Sequence, residues 1–222
     1  PWLFPEGYKS VDNILFNGEG GVKLKELIEK KGAHVLAFGE NGFRQITNNV
    51  HPITGLADMK QLKIRTPTIA MYVDLFKLFG ADPTAMNFAE VFTALQQRTI
   101  DGQENPLDTI RSAKIHEVQK YISLWNYSYD PIALSVSGRV WKKLSDADKE
   151  IFNKAGAAAM KKQVEASRAL DSEILKSFES TMTVTRLTPE QVQEFKAAAA
   201  PIYEQYREKI GEELFKAFGY SF

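Results

Sequence analysis

The sequence predicts an α/β protein, and two patterns support this prediction. Between residues 33 and 106, short apolar runs that are typical of strands alternate with amphipathic runs that are typical of helices. This order favours a parallel sheet covered by helices. Between residues 146 and 180 there is no proline and apolar residues recur at a helical period, so we expect one long helix there. With 222 residues, the chain has the length of one large domain or two small ones.

The composition excludes several classes of function. Lys and Arg together number 28, as do Asp and Glu, and this balance argues against a nucleic-acid-binding surface. Because the chain has no cysteine, disulfides, thiolate metal sites and cysteine nucleophiles are excluded, which fits a bacterial periplasm. No apolar run is long enough to cross a bilayer. No signal peptide is visible at the opening PWLFPEG, and we expect a further segment to precede it in the full gene product.

The first half of the chain is predicted to supply most of the sheet. An amphipathic helix, VKLKELIEKK, is expected to end at Gly32. Strands are predicted at AHVLAFG, FRQITNNV, LKIRTP, PTAMNF and TIDGQ, and helices at IAMYVDLFKLFGA and FAEVFTALQQR. After Pro106, another helix is expected to run to about residue 120.

The second half combines a β-rich stretch with two helices. YISLWNYSYDPIALSVSGRVW is aromatic and β-branched, with its Asp-Pro pair as a break. Ser145 is a good N-cap for the long helix, which at 1.5 Å per residue would be about 50 Å in length. After a short strand, TMTVTRL, the last helix begins with Thr188 as N-cap, Pro189 at its first position and Gln191 closing a capping box.

The sequence shows few features of a catalytic or metal centre. His34, His51 and His116 do not share a spacing typical of metal ligands. The glycines at 18, 20 and 21 do not form a dinucleotide-binding or phosphate-binding loop, since Lys23 occupies the last glycine position of that motif. No Ser-His-Asp set is evident. We therefore expect no cofactor, no metal and no enzymatic activity.

Arg65 is the first candidate binding residue. In the predicted strand LKIR, a period of two places Leu62 and Ile64 on one face and Lys63 and Arg65 on the other. Arg65 is near the carboxyl end of this strand, where ligands bind in open α/β sheets. Its planar guanidinium matches a carboxylate with two parallel hydrogen bonds. An ordinary surface arginine remains the alternative.

The same region resembles a known family. GLADMKQLKIRTP and GADPTAMNFAEVFTALQQRTIDGQENPL, in this order and spacing, resemble the solute-binding proteins of tripartite ATP-independent periplasmic (TRAP) transporters, the DctP-type family. The resemblance continues to the end of the chain, which is similar to the C-terminal two thirds of the family. It implies a periplasmic, two-lobed binding protein (type II-like) with a hinge, a ligand cleft and a long helix that spans both lobes. It further implies that a small organic carboxylate is captured and passed to membrane-embedded transporter subunits.

The resemblance also implies a division into lobes. We expect residues 1–41 and 131–171 to form the first lobe, and residues 42–130 and 172–222 to form the second. Because PWLFPEG resembles a segment in the middle of a family domain, PFLFP, the first lobe is expected to be incomplete in this chain.

The family pattern implies a set of ligand-binding residues. Arg65 would pair with the ligand carboxylate, Asn105 would support the same carboxylate, and Arg44 would be a second basic residue in the cleft. Phe88 would pack against the carbon skeleton of the ligand, with a plain core position as the alternative. IDGQENP is interpreted as a turn that delivers Asn105 at the start of a helix, where a plain N-cap is the alternative.

Asp130 is the last candidate, in the stretch WNYSYDP. It is expected to accept hydrogen bonds from ligand hydroxyls, which favours a sugar acid such as a uronate or aldonate; a cap of the turn before Pro131 is the alternative. C4-dicarboxylates, sialic acid and 2-oxoacids remain alternative ligands. Two other classes of function stay open: an enzyme on a sugar acid with Asp130 or Glu104 as general base, and a sensor with the long helix as partner surface.

Overall fold

A computed structural model describes residues 1–222 as a mixed α/β protein. Its strands are β1 (Ala33–Asn48), β2 (Lys63–Thr66), β3 (Asp82–Ala85), β4 (Gly102–Pro106), β5 (Tyr121–Leu124), β6 (Tyr129–Ser137) and β7 (Thr183–Arg186). Its α-helices are α1 (Tyr8–Val11), α2 (Glu19–Lys30), α3 (Ala70–Leu78), α4 (Phe88–Gln96), α5 (Leu107–Ser112), α6 (Gly138–Trp141), α7 (Asp146–Phe178), α8 (Pro189–Ile210) and α9 (Glu212–Ala217). A π-helix covers Asp12–Phe16, and short 3₁₀ helices cover Leu56–Met59 and Ile115–Glu117. None of the helices combines the length and apolar character that a membrane crossing requires.

The sheet is mixed, so the prediction of a parallel sheet is wrong at its centre. The strand order is β3-β2-β4-β1-β5-β7, and β6 also pairs with β1. β2 is parallel to β3 and β4, and β5 is parallel to β7. β1 is antiparallel to both β4 and β5. The parallel pairs that the sequence predicts therefore occur on both sides of β1, but β1 itself is antiparallel to both of its neighbours in this order.

β1 is a single strand of 16 residues, whereas two strands with a glycine-rich break were predicted. At the predicted break, the side-chain amide of Gln163 in α7 replaces a strand partner. Gln163 accepts a hydrogen bond from the backbone N–H of Glu40 at 2.8 Å and donates one to its carbonyl oxygen at 2.7 Å. Because both backbone groups are satisfied, the strand continues through its glycines.

Both predicted N-caps of the long helices are confirmed. At the start of α7, the backbone N–H of Asp148 donates to Ser145 Oγ at 3.1 Å. At α8, Thr188 Oγ1 accepts from the Gln191 N–H at 3.3 Å, and the Thr188 N–H donates to Gln191 Oε1 at 2.8 Å. The helix expected after Pro106 ends early, at Ser112, because Lys114 has a φ of 55°, which a right-handed helix cannot include.

Two compact units make up the chain. Unit 1 comprises residues 1–2, 43–129 and 170–207, and unit 2 comprises residues 3–42, 130–169 and 208–222. The predicted lobe division differs from these units at the C-terminus, because it placed residues 172–222 together in the second lobe. Residues 208–222 belong to unit 2 because α9 packs against α2. Phe215 and Leu24 from these helices line one apolar cavity.

The core of unit 1 includes an aromatic cluster that lies beneath the candidate site. The rings of Trp125 and Tyr127 are 4.5 Å apart between centroids, and Phe76, Phe79 and Phe195 pack around Trp125 at 5.2 to 6.0 Å. Trp125 and Tyr127 are buried. The aromatic alternation that the sequence shows in WNYSY therefore serves this core.

Candidate functional site

Arg65 is a buried cation without an acidic partner. It lies at the carboxyl end of β2, as predicted, and only 4% of its surface is exposed. Its Nε and Nη2 donate to the carbonyl oxygen of Met86 at 2.9 and 2.6 Å, and it forms no ion pair with an acidic side chain. Burial lowers the pKa of Arg65, with the charge of Glu104 opposing this shift and the charge of Arg44 adding to it. Arg65 keeps N–H donors that no acceptor of the chain uses.

Phe88 stands beside Arg65, and the interpretation as a core residue is wrong. Its ring is 43% exposed, and its centroid is 5.8 Å from Cζ of Arg65, within the range of a cation–π contact. The chain brings the two together because β3 is parallel to β2 and the Met86 N–H donates to the Thr66 carbonyl oxygen at 3.2 Å. α4 then begins at Phe88.

Asn105 lies in strand β4, so the interpretation of IDGQENP as a turn is wrong. β4 pairs with β1 on one side and with β2 on the other. Gly102 is needed for this close pairing, since a Cβ atom at this position would lie 2.1 Å from the carbonyl oxygen of Thr47. The N-cap alternative is also wrong, because no side chain caps α5. The central strands of the sheet hold Asn105 in place.

Arg44 is already paired, with Glu104. Arg44 Nε lies 2.5 Å from Glu104 Oε2, and Nη2 lies 2.9 Å from Oε1 and 2.8 Å from the Glu104 carbonyl oxygen. The hydroxyl of Tyr127 also donates to Glu104 Oε2. Burial alone would lower the pKa of Arg44, but the charge and hydrogen bonds of Glu104 outweigh this and raise it. All three side chains are buried, and the acid compensates the charge of Arg44.

The side chain of Asn105 is oriented by a chain of hydrogen bonds. Its Oδ1 accepts from Arg44 Nη2 at 3.0 Å, and its Nδ2 donates to Gln103 Oε1 at 2.5 Å. Gln103 Nε2 donates to Thr47 Oγ1 at 3.0 Å, and the Thr47 hydroxyl donates to Gln119 Oε1 at 2.8 Å. Since each group donates to the next, the chain fixes which end of the Asn105 amide faces Arg44.

Sequence reasoning missed most of this buried polar network. Thr47 was not singled out, and neither was the hydroxyl of Tyr127, while Gln103 was interpreted only as part of the IDGQENP turn. A signal was present, because a central strand of a covered sheet is usually apolar, whereas β4 reads GQENP. Consecutive polar residues on a buried strand indicate a side-chain network.

Asp130 belongs to unit 2, whereas the other four predicted residues belong to unit 1. It lies in β6, which runs through Pro131, so the predicted break and the turn-cap alternative are wrong. Asn41 Nδ2 donates to Asp130 Oδ2 at 2.9 Å. The role of Asp130 towards a ligand stays a prediction.

The structure contains no group of three or more His, Cys, Asp or Glu side chains that could hold a metal ion. Glu104, the other candidate general base, is engaged by Arg44 and Tyr127 at its carboxylate.

The sequence matches the profile of one protein family over most of its length. The profile described as "Bacterial extracellular solute-binding protein, family 7" (DctP) matches residues 1–209. Among curated proteins, the 2,3-diketo-L-gulonate-binding periplasmic protein YiaO of Escherichia coli K12 is 43% identical over 148 residues, which cover 65% of this chain and 44% of that protein. The chain spans about half the length of the curated relatives it matches, with shares between 38% and 66%.

Solved structures share the fold of the whole chain. A TRAP periplasmic solute-binding protein from Ralstonia eutropha H16, with bound (S)-2-acetolactate, is 34% identical with a TM-score of 0.93, covering 99% of this chain and 71% of its own. The sugar acid binding protein DctPAm from Advenella mimigardefordensis, in complex with galactonate, is 36% identical with a TM-score of 0.91, covering 98% of this chain and 70% of its own. The fold of this chain is therefore that of the TRAP periplasmic binding proteins.

Proposed function

Since the chain belongs to family 7 of the bacterial extracellular solute-binding proteins, the DctP family, we propose that it captures a small organic acid in the periplasm. It delivers this acid to the membrane-embedded subunits of a TRAP transporter and carries out no covalent chemistry. The ligand class that we propose is a sugar acid, such as an aldonate or a uronate.

The state of Arg65 carries this proposal. A buried guanidinium without an acidic partner is costly, because a charge removed from water needs compensation. A ligand carboxylate supplies that compensation and accepts the N–H donors that the chain leaves unused. Phe88, exposed beside Arg65, offers an apolar surface for the carbon skeleton of the ligand.

The relatives support an acid that carries oxygen substituents. The named ligands of the three proteins compared above are diketogulonate, acetolactate and galactonate, each a carboxylic acid with hydroxyl or carbonyl groups. In our proposal, Arg65 and Asn105 bind the carboxylate, Arg44 adds a basic group, and Asp130 accepts hydrogen bonds from the ligand hydroxyls.

The bonding of Glu104 argues against its role as the general base in the enzymatic alternative. A general base needs a carboxylate that is free to take a proton from substrate. Glu104 instead has both oxygens bound to Arg44 and one also to Tyr127. A ligand-binding role uses this cluster as a rigid scaffold, which is the role we propose.

Thermal shift and isothermal titration calorimetry on the full-length protein test the proposal. The panel contains uronates, aldonates, sialic acid, C4-dicarboxylates and 2-oxoacids, because a ligand stabilises the folded state by mass action. For the acid that binds tightest, Arg65→Ala should cost about 2–5 kcal/mol, roughly 30- to 3,000-fold in affinity. Arg65→Lys should also bind poorly, since lysine lacks the planar fork.

The matched control is Arg139→Ala, which removes an exposed arginine without an ion pair and should leave affinity unchanged. Normal affinity in both Arg65 variants would show that the carboxylate is bound elsewhere. A protein that binds no acid of the panel would contradict the proposed function.

A further inference from the structure

We infer that Gln119 and Thr47 are positioning residues for the acid: through a relay of buried side-chain hydrogen bonds, they fix the amide of Asn105 so that one of its N–H groups stays available to the ligand carboxylate. The inference rests on the proposed function, in which Asn105 and Arg65 bind that carboxylate. The relay consists of Gln119, Thr47, Gln103 and Asn105, and only its last member is proposed to touch the ligand.

The relay is anchored at Gln119, in the segment that precedes β5. Its Nε2 donates to the backbone carbonyl oxygens of Asp101 and Val118 at 3.3 and 3.2 Å. A carbonyl oxygen can only accept a hydrogen bond, so the amide nitrogen of Gln119 must lie on this side. Its amide oxygen, Oε1, therefore faces Thr47. Only 4% of the surface of Gln119 is exposed, so the two carbonyl groups are its fixed partners.

Thr47 passes this orientation on to Gln103. Its single hydroxyl hydrogen is donated to Gln119 Oε1 at 2.8 Å, so Thr47 Oγ1 is left to accept a hydrogen bond. Gln103 Nε2 donates to it at 3.0 Å, which turns Gln103 Oε1 towards Asn105. Asn105 Nδ2 donates to that oxygen at 2.5 Å. The direction of every bond in the relay therefore follows from the carbonyl groups that hold Gln119.

Asn105 needs this second anchor because the terminal torsion of an asparagine side chain is broad. Arg44 Nη2 holds only Oδ1 of the Asn105 amide, at 3.0 Å, whereas Gln103 holds Nδ2. With both atoms held, the plane of the amide is fixed. One N–H group of Nδ2 then has no acceptor in the chain, and this group is the donor to the ligand carboxylate.

The relay also keeps the oxygen of Gln103 from the donors of Arg65. Gln103 lies opposite Arg65 in the pairing of β4 with β2, and opposite Thr47 in the pairing of β4 with β1. Residues paired in this way are neighbours on one face of a sheet. Because the oxygen of Gln103 accepts from Asn105, the unused donors of Arg65 remain for the ligand.

Two variants of Thr47 test the inference on the full-length protein, with the acid of the panel that binds tightest. Thr47→Val keeps the shape of the side chain but lacks the hydroxyl, and by calorimetry we expect it to bind about 10-fold more weakly. Thr47→Ser lacks the methyl group but keeps the hydroxyl, and we expect it to bind within ~2-fold of the wild-type protein. A purely structural role of this fully buried position would not make affinity follow the hydroxyl alone.

An Asn105→Ala background shows whether Thr47 acts through Asn105. In this background Thr47→Val should change the affinity by less than ~2-fold, because the amide that the relay orients is absent. If Asn105→Ala binds too weakly to measure, the comparison of Thr47→Val with Thr47→Ser decides. Thr185→Val is the matched control and should leave the affinity unchanged, since the hydroxyl of this residue in β7 has no hydrogen-bond partner in the chain.

The possible outcomes separate this inference from the proposed function. Normal affinity in a folded Thr47→Val variant, an equal loss in Thr47→Ser, or a loss that persists in the Asn105→Ala background overturns the inference while acid binding stands. If Thr47→Val does not fold, Gln119→Met takes its place, because it removes the anchor of the relay, and normal affinity in that variant overturns the inference. Binding of no acid of the panel by the wild-type protein overturns the proposed function itself.

Discussion

Tyr127 links the candidate site to the core beneath it through one hydroxyl group. Its ring packs against Trp125 and Phe76 inside the aromatic cluster, and its hydroxyl donates to Glu104. Burial, together with the negative charge of Glu104, raises the pKa of Tyr127 well above its usual value of 10.0. The hydroxyl therefore stays protonated at neutral pH and remains a donor to Glu104.

At this residue we predict that Tyr127→Phe lowers the free energy of unfolding by about 1.5–3 kcal/mol, the range for a hydrogen bond to a charged group. The ring and its packing remain, so the loss reports the hydroxyl alone. Urea denaturation at pH 7 measures it. Tyr121→Phe is the control, because its hydroxyl has no hydrogen-bond partner in the chain, and a loss of the same size there would contradict the prediction.

The effect of Tyr127→Phe should also depend on pH. Because the folded-state pKa is raised above the unfolded value of about 10, the contribution is complete below pH 10 and is lost as the pH rises through the folded-state pKa. The difference in unfolding free energy between the wild-type protein and the variant should be constant from about pH 7 to 9 and should shrink above about pH 10.

At the level of elements, α7 and β1 approach each other closely in unit 2. A Cβ atom on Gly156 would lie 2.8 Å from the Cβ atom of Leu36, closer than side chains pack. Seven residues further along α7, Gln163 holds both backbone groups of Glu40. The glycine lets the helix approach the strand closely, and the glutamine completes the hydrogen bonding of the strand.

We predict that Gly156→Ala destabilises the protein by about 1–3 kcal/mol, the range for inserting a methyl group into a well-packed core. The sign is informative, because alanine favours a helix over glycine by about 1 kcal/mol and would stabilise an uncrowded site. Thermal denaturation measures the change. The cost of Gly156→Ala should be smaller in a Leu36→Gly background, which lacks the Cβ atom that the new methyl group meets. Stabilisation by Gly156→Ala alone would contradict the prediction.

Elements that depend on local chemistry were predictable, and those that depend on distant partners were not. The helix starts at Ser145 and Thr188 follow from their own side chains, and both are present. The continuity of β1 depends on Gln163, which is 123 residues away from Glu40 in the chain. The strand that contains Asn105 likewise depends on two neighbouring strands, and its polar residues make it read as a turn.

The predicted binding residues divide in the same way. The strand period placed Arg65 near the end of β2, and the structure puts it there. No local signal showed that Arg44 would be compensated by Glu104, since the two are 60 residues apart and meet only through the pairing of β1 with β4. Whether an arginine in a sheet is available to a ligand depends on whether an acidic side chain already pairs with it. That pairing is set by the tertiary structure and cannot be read from the local sequence.

Across the whole molecule, each compact unit contains a buried glutamate held by an arginine. In unit 2, Arg168 Nε lies 3.0 Å from Glu40 Oε2 and its Nη2 lies 2.7 Å from Asp12 Oδ1, with the ring of Tyr8 at 4.4 Å. The side chain of Glu40 is fully buried, whereas that of Asp12 is partly exposed. Burial opposes ionisation of Arg168, but its bonds to Asp12 and Glu40 raise its pKa.

Two elements, β1 and α7, run without interruption from one unit into the other. Arg168 joins them on the unit 2 side, through Glu40 of β1. Since a continuous strand or helix loses its hydrogen bonds cooperatively, we expect damage at Arg168 to be felt in unit 1 as well.

Arg168→Met should therefore lower the free energy of unfolding by about 3–5 kcal/mol, because it removes the cation that binds the fully buried carboxylate of Glu40. In a Trp141→Phe background, the remaining tryptophans, Trp2 and Trp125, both belong to unit 1, so fluorescence reports that unit alone. We expect the urea transition that Trp2 and Trp125 report to move to a lower urea concentration, by a shift that corresponds to the whole loss of unfolding free energy. The control is Arg186→Met, which removes an exposed ion pair with Glu179 and should cost at most about 1 kcal/mol. A loss of stability that leaves the unit 1 transition in place would mean that the two units unfold independently despite the strand and helix they share.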